Sequence, residues 1–248
     1  MTTILGIDIG GTGMKGAPVD VETGSFTADR FRVPTPPGGS PADVARVVGE
    51  IVAHFDTIGP IGCTFPAVVQ RGVTLTAANV DPLWIGTDAE ALFESVVNRP
   101  VTVVNDADAA GVAEIELGAG KGRKGTVLLL TLGTGIGSAL FVDGKLVPNT
   151  EFGHLDIRGK AAELRASEKV REDKGLSWAK WATRLNEVIA HLEALLCPDL
   201  IILGGGVSKK TDKFVPFLNS RAEIVPAQML NQAGIVGAAR LAHRKVEA

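Results

Sequence analysis

The stretch that decides the fold is Leu128-Leu-Leu-Thr-Leu-Gly-Thr-Gly-Ile-Gly-Ser-Ala-Leu-Phe-Val142. An apolar run enters a turn at Gly133-Thr134-Gly135 and a second apolar run leaves it, which predicts a β-hairpin. Glycine suits positions where the backbone takes a positive φ or approaches a ligand closely. A Gly-Thr-Gly tip offers bare backbone N–H groups and a hydroxyl, which suits a phosphate. One such hairpin could equally be an ordinary tight turn.

The N-terminus repeats this design in Ile4-Leu-Gly-Ile-Asp-Ile-Gly-Gly-Thr-Gly-Met-Lys-Gly-Ala-Pro-Val19. Each copy continues into a further predicted strand, at 26–33 after the first hairpin and at 145–147 after the second. Two such units, each opening about half of the chain, indicate an internal duplication. Two phosphate-type loops that face one another are harder to explain as ordinary turns than one loop is.

The rest of the chain alternates strand and helix patterns, which predicts an α/β fold. The first half then follows the β-β-β-α-β-α-β order of a ribonuclease-H-like domain. Residues 70–79 resemble a hairpin or extended loop, and 158–175 form a polar segment. We predict one domain at 1–105, joined by a C-terminal helix within 234–248, and a second at 106–233. The other predicted strands are one that residues 58–65 lead into and that ends at Pro66, and those at 101–104, 198–203 and 222–225. The other predicted helices are 41–56, 88–97, one after Asp108 reaching Leu117, 177–196, 211–218 and 234–243.

Composition is that of an ordinary globular protein, with 45% hydrophobic and 21% charged residues among 248. The net charge of −3 gives no reason to expect nucleic acid as a partner. The two cysteines, Cys63 and Cys197, form no CxxC pair, so we expect a reducing, cytoplasmic setting without disulfides. No apolar run is long enough for a membrane span, and the opening strand predicts no signal peptide.

Asp8 and Lys15 flank the first Gly-Thr-Gly loop and are candidates for phosphate chemistry. Phosphate would repel the Asp8 carboxylate unless Mg²⁺ lies between them, directly or through water. Lys15 can offset charge on a transferred phosphoryl group. The alternative is a strand-end aspartate beside a solvated lysine.

Asn105-Asp106 follows a buried strand, at the strand end where open α/β sheets place ligands. Asp106 could accept a proton from a sugar hydroxyl as that oxygen attacks phosphorus. The alternative is helix N-capping, for which Asp108 is the better candidate.

Glu151 and His154 lie close together after the second hairpin and suit a pair of vicinal hydroxyls. A metal site is the alternative for His154, but no cysteine completes a ligand set. Asn79 could also bind sugar, or could be a turn residue. The turn at Gly204–Gly206 suits a base or phosphate, or simply starts a helix. Basic clusters at 121–124 and 209–213 are solvated faces or guides for a polyanion.

Together, Asp8-Ile-Gly-Gly-Thr-Gly-Met-Lys15, Val104-Asn-Asp-Ala-Asp108, Leu130-Thr-Leu-Gly-Thr-Gly-Ile-Gly137 and Glu151-Phe-Gly-His154 resemble the ROK family of sugar kinases. The resemblance implies two ribonuclease-H-like domains of the actin-like ATPase and hexokinase superfamily, with a central sugar and phosphate cleft. It implies Asp106 as the catalytic base. The implied sugar ligands are Asn79, Asn105, Asp106, Glu151, His154 and Glu163. The implied donor-binding residues are Asp8, Gly10, Gly11, Thr12, Gly13, Lys15, Thr131, Gly133, Thr134, Gly135, Gly205 and Gly206.

The chain departs from the common family pattern in two places. Residues 155–163 lack the cysteines of the family's zinc site, so we expect no zinc. Pro66-Ala67 replaces the usual Pro-Gly pair. The first departure, with the motifs at 151–159 and 204–210, resembles the polyphosphate-using glucokinases of actinobacteria.

That likeness implies a cytoplasmic kinase that makes glucose 6-phosphate from polyphosphate, ATP or both with Mg²⁺, and some relatives also accept mannose. A homodimer, with helix 177–196 as its candidate surface, is compatible with it. The alternatives are an ATP-only kinase for another hexose and a sugar-sensing protein without catalysis. The chain starts at the first phosphate strand, which argues against the family's repressors with their N-terminal DNA-binding domain.

Overall fold

The computed structural model describes residues 2–78 and 80–247, so Asn79 lies outside the described residues. The chain forms two compact units, one of residues 1–113 with 232–248 and one of residues 114–231. The sequence-based boundary between 105 and 106 stays a prediction. Within the described ranges, no helix combines the length and the apolar character needed to cross a bilayer.

Twelve strands and seven α-helices are described in these ranges. The strands are β1 (Thr3–Ile9), β2 (Met14–Asp20), β3 (Phe31–Val33), β4 (Ile61–Phe65), β5 (Val69–Gln70), β6 (Val73–Thr74), β7 (Val101–Asn105), β8 (Thr126–Leu132), β9 (Ile136–Val142), β10 (Lys145–Val147), β11 (Leu200–Gly204) and β12 (Glu223–Pro226). The helices are α1 (Pro41–His54), α2 (Ala89–Val97), α3 (Asp106–Glu116), α4 (Glu163–Ala166), α5 (Glu168–Asp173), α6 (Trp178–Leu196) and α7 (Ala233–Glu247).

Both units contain a five-stranded sheet of the same topology, in the order β3-β2-β1-β4-β7 and β10-β9-β8-β11-β12. In each sheet the first three strands are antiparallel and the last three are parallel. The hairpin registers also match, with Ile9 opposite Met14 in the first and Leu132 opposite Ile136 in the second. The predicted duplication and the ribonuclease-H-like order are confirmed.

In the first unit, α7 packs closely against β1 and β4. A Cβ added to Gly6 would lie 2.1 Å from the Ile235 carbonyl oxygen, and one added to Gly62 would lie 2.0 Å from that of Ala238. Such contacts exclude any side chain at these two glycines, because backbone atoms cannot move aside as a flexible side chain can. The β1–β4 pair, whose carboxyl ends carry Asp8 and Thr64, is thereby held against a rigid helix.

In the second unit, α6 covers the sheet with an apolar face. Ser177 caps its N-terminus by accepting from the Lys180 N–H, as the sequence predicts. Trp181 is fully buried, and its indole N–H donates to the Ala166 carbonyl at 2.9 Å. This bond ties α6 to the short α4, which carries Glu163.

Three predicted elements differ from the structure. The strand predicted at 26–33 is a regular strand at Phe31–Val33, and Phe26 makes an isolated bridge to Val19. Residues 20–25 before it form a turn in which Asp20 accepts from the Thr23 hydroxyl. The helix predicted at 211–218 is two 3-10 segments, Gly206–Lys213 and Val215–Phe217, because Lys210 interrupts regular helical dihedrals and Pro216 follows. The polar segment 158–175 contains α4 and α5, with Ser167 capping α5.

Candidate active site

The first Gly-Thr-Gly loop, Gly10–Gly13, is the tip between β1 and β2. Gly11 and Thr12 are exposed, and a Cβ added to Gly11 would meet no atom within 4 Å. Neither Gly10, Gly11 nor Gly13 has a positive φ. A need for left-handed backbone therefore does not explain these glycines, and close approach by a ligand is the remaining physical reason for an open Gly11.

Asp8, at the carboxyl end of β1, is held by the neighbouring strands. Thr64 of β4 is fully buried; its hydroxyl donates to Asp8 Oδ1 at 2.9 Å and accepts from the Ile9 N–H at 3.1 Å. Lys15 of β2 lies opposite Asp8, with Nζ 3.5 Å from Oδ2. The carboxylate is 26% exposed, so it is oriented by protein and still reachable from solvent.

Arg32 supplies a second cation beside this loop. It lies opposite Lys15 in the β2–β3 pair, and its Nη2 donates to the Thr12 carbonyl at 3.0 Å. A Cβ added to Gly13 would lie 2.6 Å from the same guanidinium, so Gly13 makes room for the arginine. On the other side of the loop, the Thr35 hydroxyl donates to the Gly10 carbonyl at 2.5 Å.

Asp106 is exposed at the first residue of α3, directly after β7. Its Oδ1 accepts from the Ala107 N–H at 2.8 Å. The N-capping expected of Asp108 is performed by Asn105, whose Oδ1 accepts from the Ala107 and Asp108 N–H groups at 2.9 and 3.1 Å. The expectation that Asp108 caps the helix was wrong, because α3 begins at Asp106 and Asp108 lies within the first turn of the helix.

Asn105 is buried, and its amide nitrogen donates to the Ala67 carbonyl at 3.1 Å. The side chain thus links α3 to the Pro66-Ala67 segment through three backbone contacts. Among the described residues the amide nitrogen donates in this one bond, which leaves one amide hydrogen for a further partner such as a sugar hydroxyl.

A cavity of about 410 Å³ adjoins the first loop within the same unit. Its walls include Gly10, Gly11, Thr35, Pro66, Asp81 and Trp84. The Trp84 indole N–H donates to the Gly39 carbonyl at 2.8 Å, which fixes one wall. Volume and mixed lining are in the range of small-molecule sites.

The second loop, around Gly133-Thr134-Gly135, is held by backbone contacts within its own unit. The Gly133 carbonyl accepts from the Lys169 N–H at 3.1 Å, while Thr134 is exposed. Thr131, just before the tip, pairs with both Gly137 and Gly204. As in the first loop, an added Cβ at the first tip glycine, Gly133, would meet nothing within 4 Å.

Glu151, His154 and Glu163 come together in the second unit. His154 lies between the carboxylates, with Nε2 3.7 Å from Glu151 and Nδ1 3.6 Å from Glu163. Burial raises the pKa of Glu151; His154 opposes that shift and Glu163 adds to it. The cluster therefore pairs an imidazole with two carboxylates, a set that can accept hydroxyl hydrogens from a sugar.

Gly205 and Gly206 start the 3-10 segment after β11, so the helix-start alternative describes their local structure. Gly205 has a φ of 83° and packs directly on the Leu132 backbone, where an added Cβ would lie 2.4 Å from its carbonyl oxygen. Gly206 faces Glu168, whose carboxylate pairs with Lys210 at 3.3 Å. This turn thus contacts the second loop, and the role of its glycines as donor ligands stays a prediction.

Thr64, Arg32 and Thr35 were not predicted from the sequence as site residues. Threonine in a buried strand is ordinary by propensity, so nothing local distinguishes Thr64. Arg32 was predicted only as a strand residue. Its position opposite Lys15 on the neighbouring strand could have indicated two cations beside the loop.

Comparison with known proteins identifies the class of protein that this fold and these loops define. The model of the ROK family matches residues 4–166. The chain belongs to the ROK family, whose structures have the two-domain actin-like ATPase and hexokinase fold.

Three individual relatives show which kinases of the family this chain is similar to. The chain is 50% identical to the polyphosphate glucokinase of Mycobacterium tuberculosis (strain CDC 1551 / Oshkosh) over 94% of this chain and 89% of the relative. It is 50% identical to the inorganic polyphosphate/ATP-glucomannokinase from Arthrobacter sp. strain KM, with a TM-score of 0.94 and coverage of 99% and 100%. A ROK family glucokinase from Streptomyces griseus, solved with glucose and AMPPNP, matches at 25% identity and a TM-score of 0.84, covering 98% and 100%.

Proposed function

We propose that this protein is a hexokinase-type phosphotransferase. It transfers a phosphoryl group from inorganic polyphosphate or ATP to the 6-hydroxyl of glucose, and it accepts mannose as a second sugar. The two relatives that are 50% identical support both the acceptor and the donors, because their names give polyphosphate, ATP, glucose and mannose kinase activity.

One observation carries the chemistry: the expected base and the donor loop share one edge of the first sheet. β1, β4 and β7 are adjacent and parallel, and Asp8 is aligned with Thr64 and Val104. Asp106 follows Val104 by two residues. Neighbouring strands are about 4.8 Å apart, so the ends of β1 and β7 lie roughly 10 Å apart along this edge. Asp106, which would accept the hydroxyl proton, is therefore about that far from Asp8, which lies beside the donor loop.

In this proposal Asp106 is the catalytic base. Its carboxylate is exposed, and Oδ1 accepts from the Ala107 N–H, which orients the group that accepts the proton of the attacking hydroxyl. The glycine-threonine loops orient the donor with backbone N–H groups, and Lys15 and Arg32 offset its charge.

Asp8 fits Mg²⁺ bound by one carboxylate and completed by donor phosphates and water. Thr64 fixes Oδ1, Oδ2 lies 3.5 Å from Lys15 Nζ, and the side chain as a whole is 26% exposed. Among the described residues no cluster of three or more histidine, cysteine or acidic side chains could enclose a metal alone, and Mg²⁺ in kinases typically has few protein ligands. When bound, the ion would neutralise charge on the donor phosphates.

The acceptor residues of the second unit are Glu151, His154 and Glu163. Asn105 contributes its remaining amide hydrogen, and Asn79 is proposed from the sequence motif alone. Two carboxylates and an imidazole can orient the hydroxyls of a hexose, so that one hydroxyl is presented for transfer.

A coupled assay of glucose and mannose against ATP and polyphosphate, each supplied separately, tests this proposal. We expect turnover of glucose with both donors. Activity with ATP alone would remove the polyphosphate part and favour an ATP-only sugar kinase. Sugar binding without turnover would favour a sugar-sensing protein.

A further inference from the structure

Glu163 contacts the second phosphate-type loop as well as the acceptor cluster. Its Oε2 accepts a long hydrogen bond of 3.4 Å from the Ile136 N–H, at the start of β9. A Cβ added to Gly135 would lie 2.4 Å from the same oxygen. Its other oxygen, Oε1, lies 3.6 Å from His154 Nδ1. One carboxylate therefore touches both the expected sugar ligands and the expected donor loop.

Three other contacts around this loop involve backbone atoms. Gly205 packs on the Leu132 backbone, and Gly153 packs on the Ile136 carbonyl, where an added Cβ would lie 2.0 Å away. The Gly133 carbonyl is held by a backbone N–H group. Compared with these backbone contacts, the Glu163 carboxylate is on a side chain with three rotatable bonds and can be exchanged without moving the loop.

A carboxylate at this position opposes a phosphate in two ways. It occupies the Ile136 N–H, a donor group that a phosphate oxygen could use, and its negative charge repels the donor. The bond is easily exchanged, because 3.4 Å is longer than the usual 2.7–3.2 Å range of N–H···O bonds.

We infer that Glu163 is a positioning residue that couples the acceptor to the donor. A sugar hydroxyl that donates to Glu163 draws the carboxylate away from the Ile136 N–H, and that N–H group then binds a donor phosphate oxygen. This inference rests on the proposed function. Its consequence is that sugar tightens donor binding, and that the loop holds donor poorly until sugar is bound, which limits wasteful hydrolysis.

Isothermal titration of the full chain tests this coupling, with AMPPNP and with tripolyphosphate as probes. Each is titrated without glucose and at glucose ten times above the Kd of the variant in the cell. For the wild type we expect glucose to tighten donor binding by roughly tenfold. Glu163→Gln removes the charge, so we expect donor binding without glucose to be several-fold tighter than in the wild type, and glucose to add less than about twofold.

Glu172→Gln is the matched control. Glu172 lies on α5 and is 58% exposed, so this substitution removes the same charge from an exposed position on the neighbouring helix. We expect it to keep the wild-type glucose effect. If Glu163→Gln binds donor without glucose no more tightly than the wild type, or keeps the wild-type glucose effect, the inference is wrong.

Glu163→Asp keeps the inference testable if the glutamine variant does not fold. It retains the charge but is one methylene shorter, so it cannot reach the Ile136 N–H, and we expect it to lose most of the glucose effect as well. A wild type with no kinase turnover on glucose would refute the proposed function. A wild type with turnover whose aspartate variant retains full coupling would refute the inference alone.

Discussion

Thr64→Val isolates the link between β4 and the first donor loop. Thr64 is fully buried, and its hydroxyl makes two bonds, accepting from the Ile9 N–H at 3.1 Å and donating to Asp8 at 2.9 Å. Valine has nearly the same shape, so the substitution removes both bonds and changes packing little. The variant therefore reports on this hydroxyl rather than on a cavity.

The expected loss of stability follows from the two groups left behind. A buried N–H without a partner costs about 1–3 kcal/mol, and Ile9 is buried. The bond to a charged carboxylate contributes less than its usual ~1.5–3 kcal/mol, since Asp8 is 26% exposed and water replaces part of it. We expect the free energy of unfolding to fall by about 2–3 kcal/mol, which lowers Tm by roughly 4–12 °C for a chain of this size.

The same substitution releases Asp8 from its orientation, so we expect kcat to fall by roughly 10–100-fold. Thermal unfolding and a coupled glucose 6-phosphate assay measure the two effects. Thr64→Ser is the matched control, because it keeps the hydroxyl and loses only a methyl group. A valine variant as stable and as active as the serine variant would refute the assigned role of this hydroxyl.

Three further predictions concern the catalytic base, the donor cation and the acceptor cluster. Asp106→Asn should lower kcat by about 10²–10⁴-fold with little change in the Kd for glucose, and near-normal turnover would exclude Asp106 as the base. Arg32→Ala should raise the KM for donor by about tenfold, whereas Arg30→Ala, at an exposed position two residues earlier, should not; equal effects in both variants would indicate only a change in overall charge. Burial raises the pKa of Glu151, with His154 opposing the shift and Glu163 adding to it. The charged form of Glu151 therefore destabilises the fold. The stability that its neutral form contributes at low pH is lost as pH rises through the folded-state pKa. Glu151→Gln should therefore raise Tm at pH 7, with the difference shrinking towards about pH 4, and an unchanged or lower Tm at pH 7 would contradict this sign.

The features predicted from sequence are those with local causes. Both hairpins follow from a Gly-Thr-Gly turn between apolar runs. Helices α1 and α6 begin where Ser40 and Ser177 cap them, since a serine side chain reaches N–H groups only three residues ahead. The repeated topology of the sheets follows from this local similarity.

The features that sequence did not predict depend on contacts between distant residues. Thr64 bonds Asp8 across 56 residues of chain, and Arg32 contacts Thr12 across 20. Asn105 was assigned as a sugar ligand, and its buried side chain also caps α3 and holds Ala67. The short helix α5 was missed because all its residues except Val170 are polar, so no apolar periodicity follows its cap, Ser167.

Transfer of a phosphoryl group from polyphosphate to the 6-hydroxyl of glucose is the central reaction of the proposed function. The most direct measurement is phosphorus-31 NMR of the purified protein with glucose, Mg²⁺ and polyphosphate as the sole donor, in the absence of any nucleotide. We expect the glucose 6-phosphate resonance to grow as polyphosphate is consumed, and to grow at least about 100-fold more slowly with Asp106→Asn. Release of inorganic phosphate without glucose 6-phosphate, or no consumption of polyphosphate, would contradict the account.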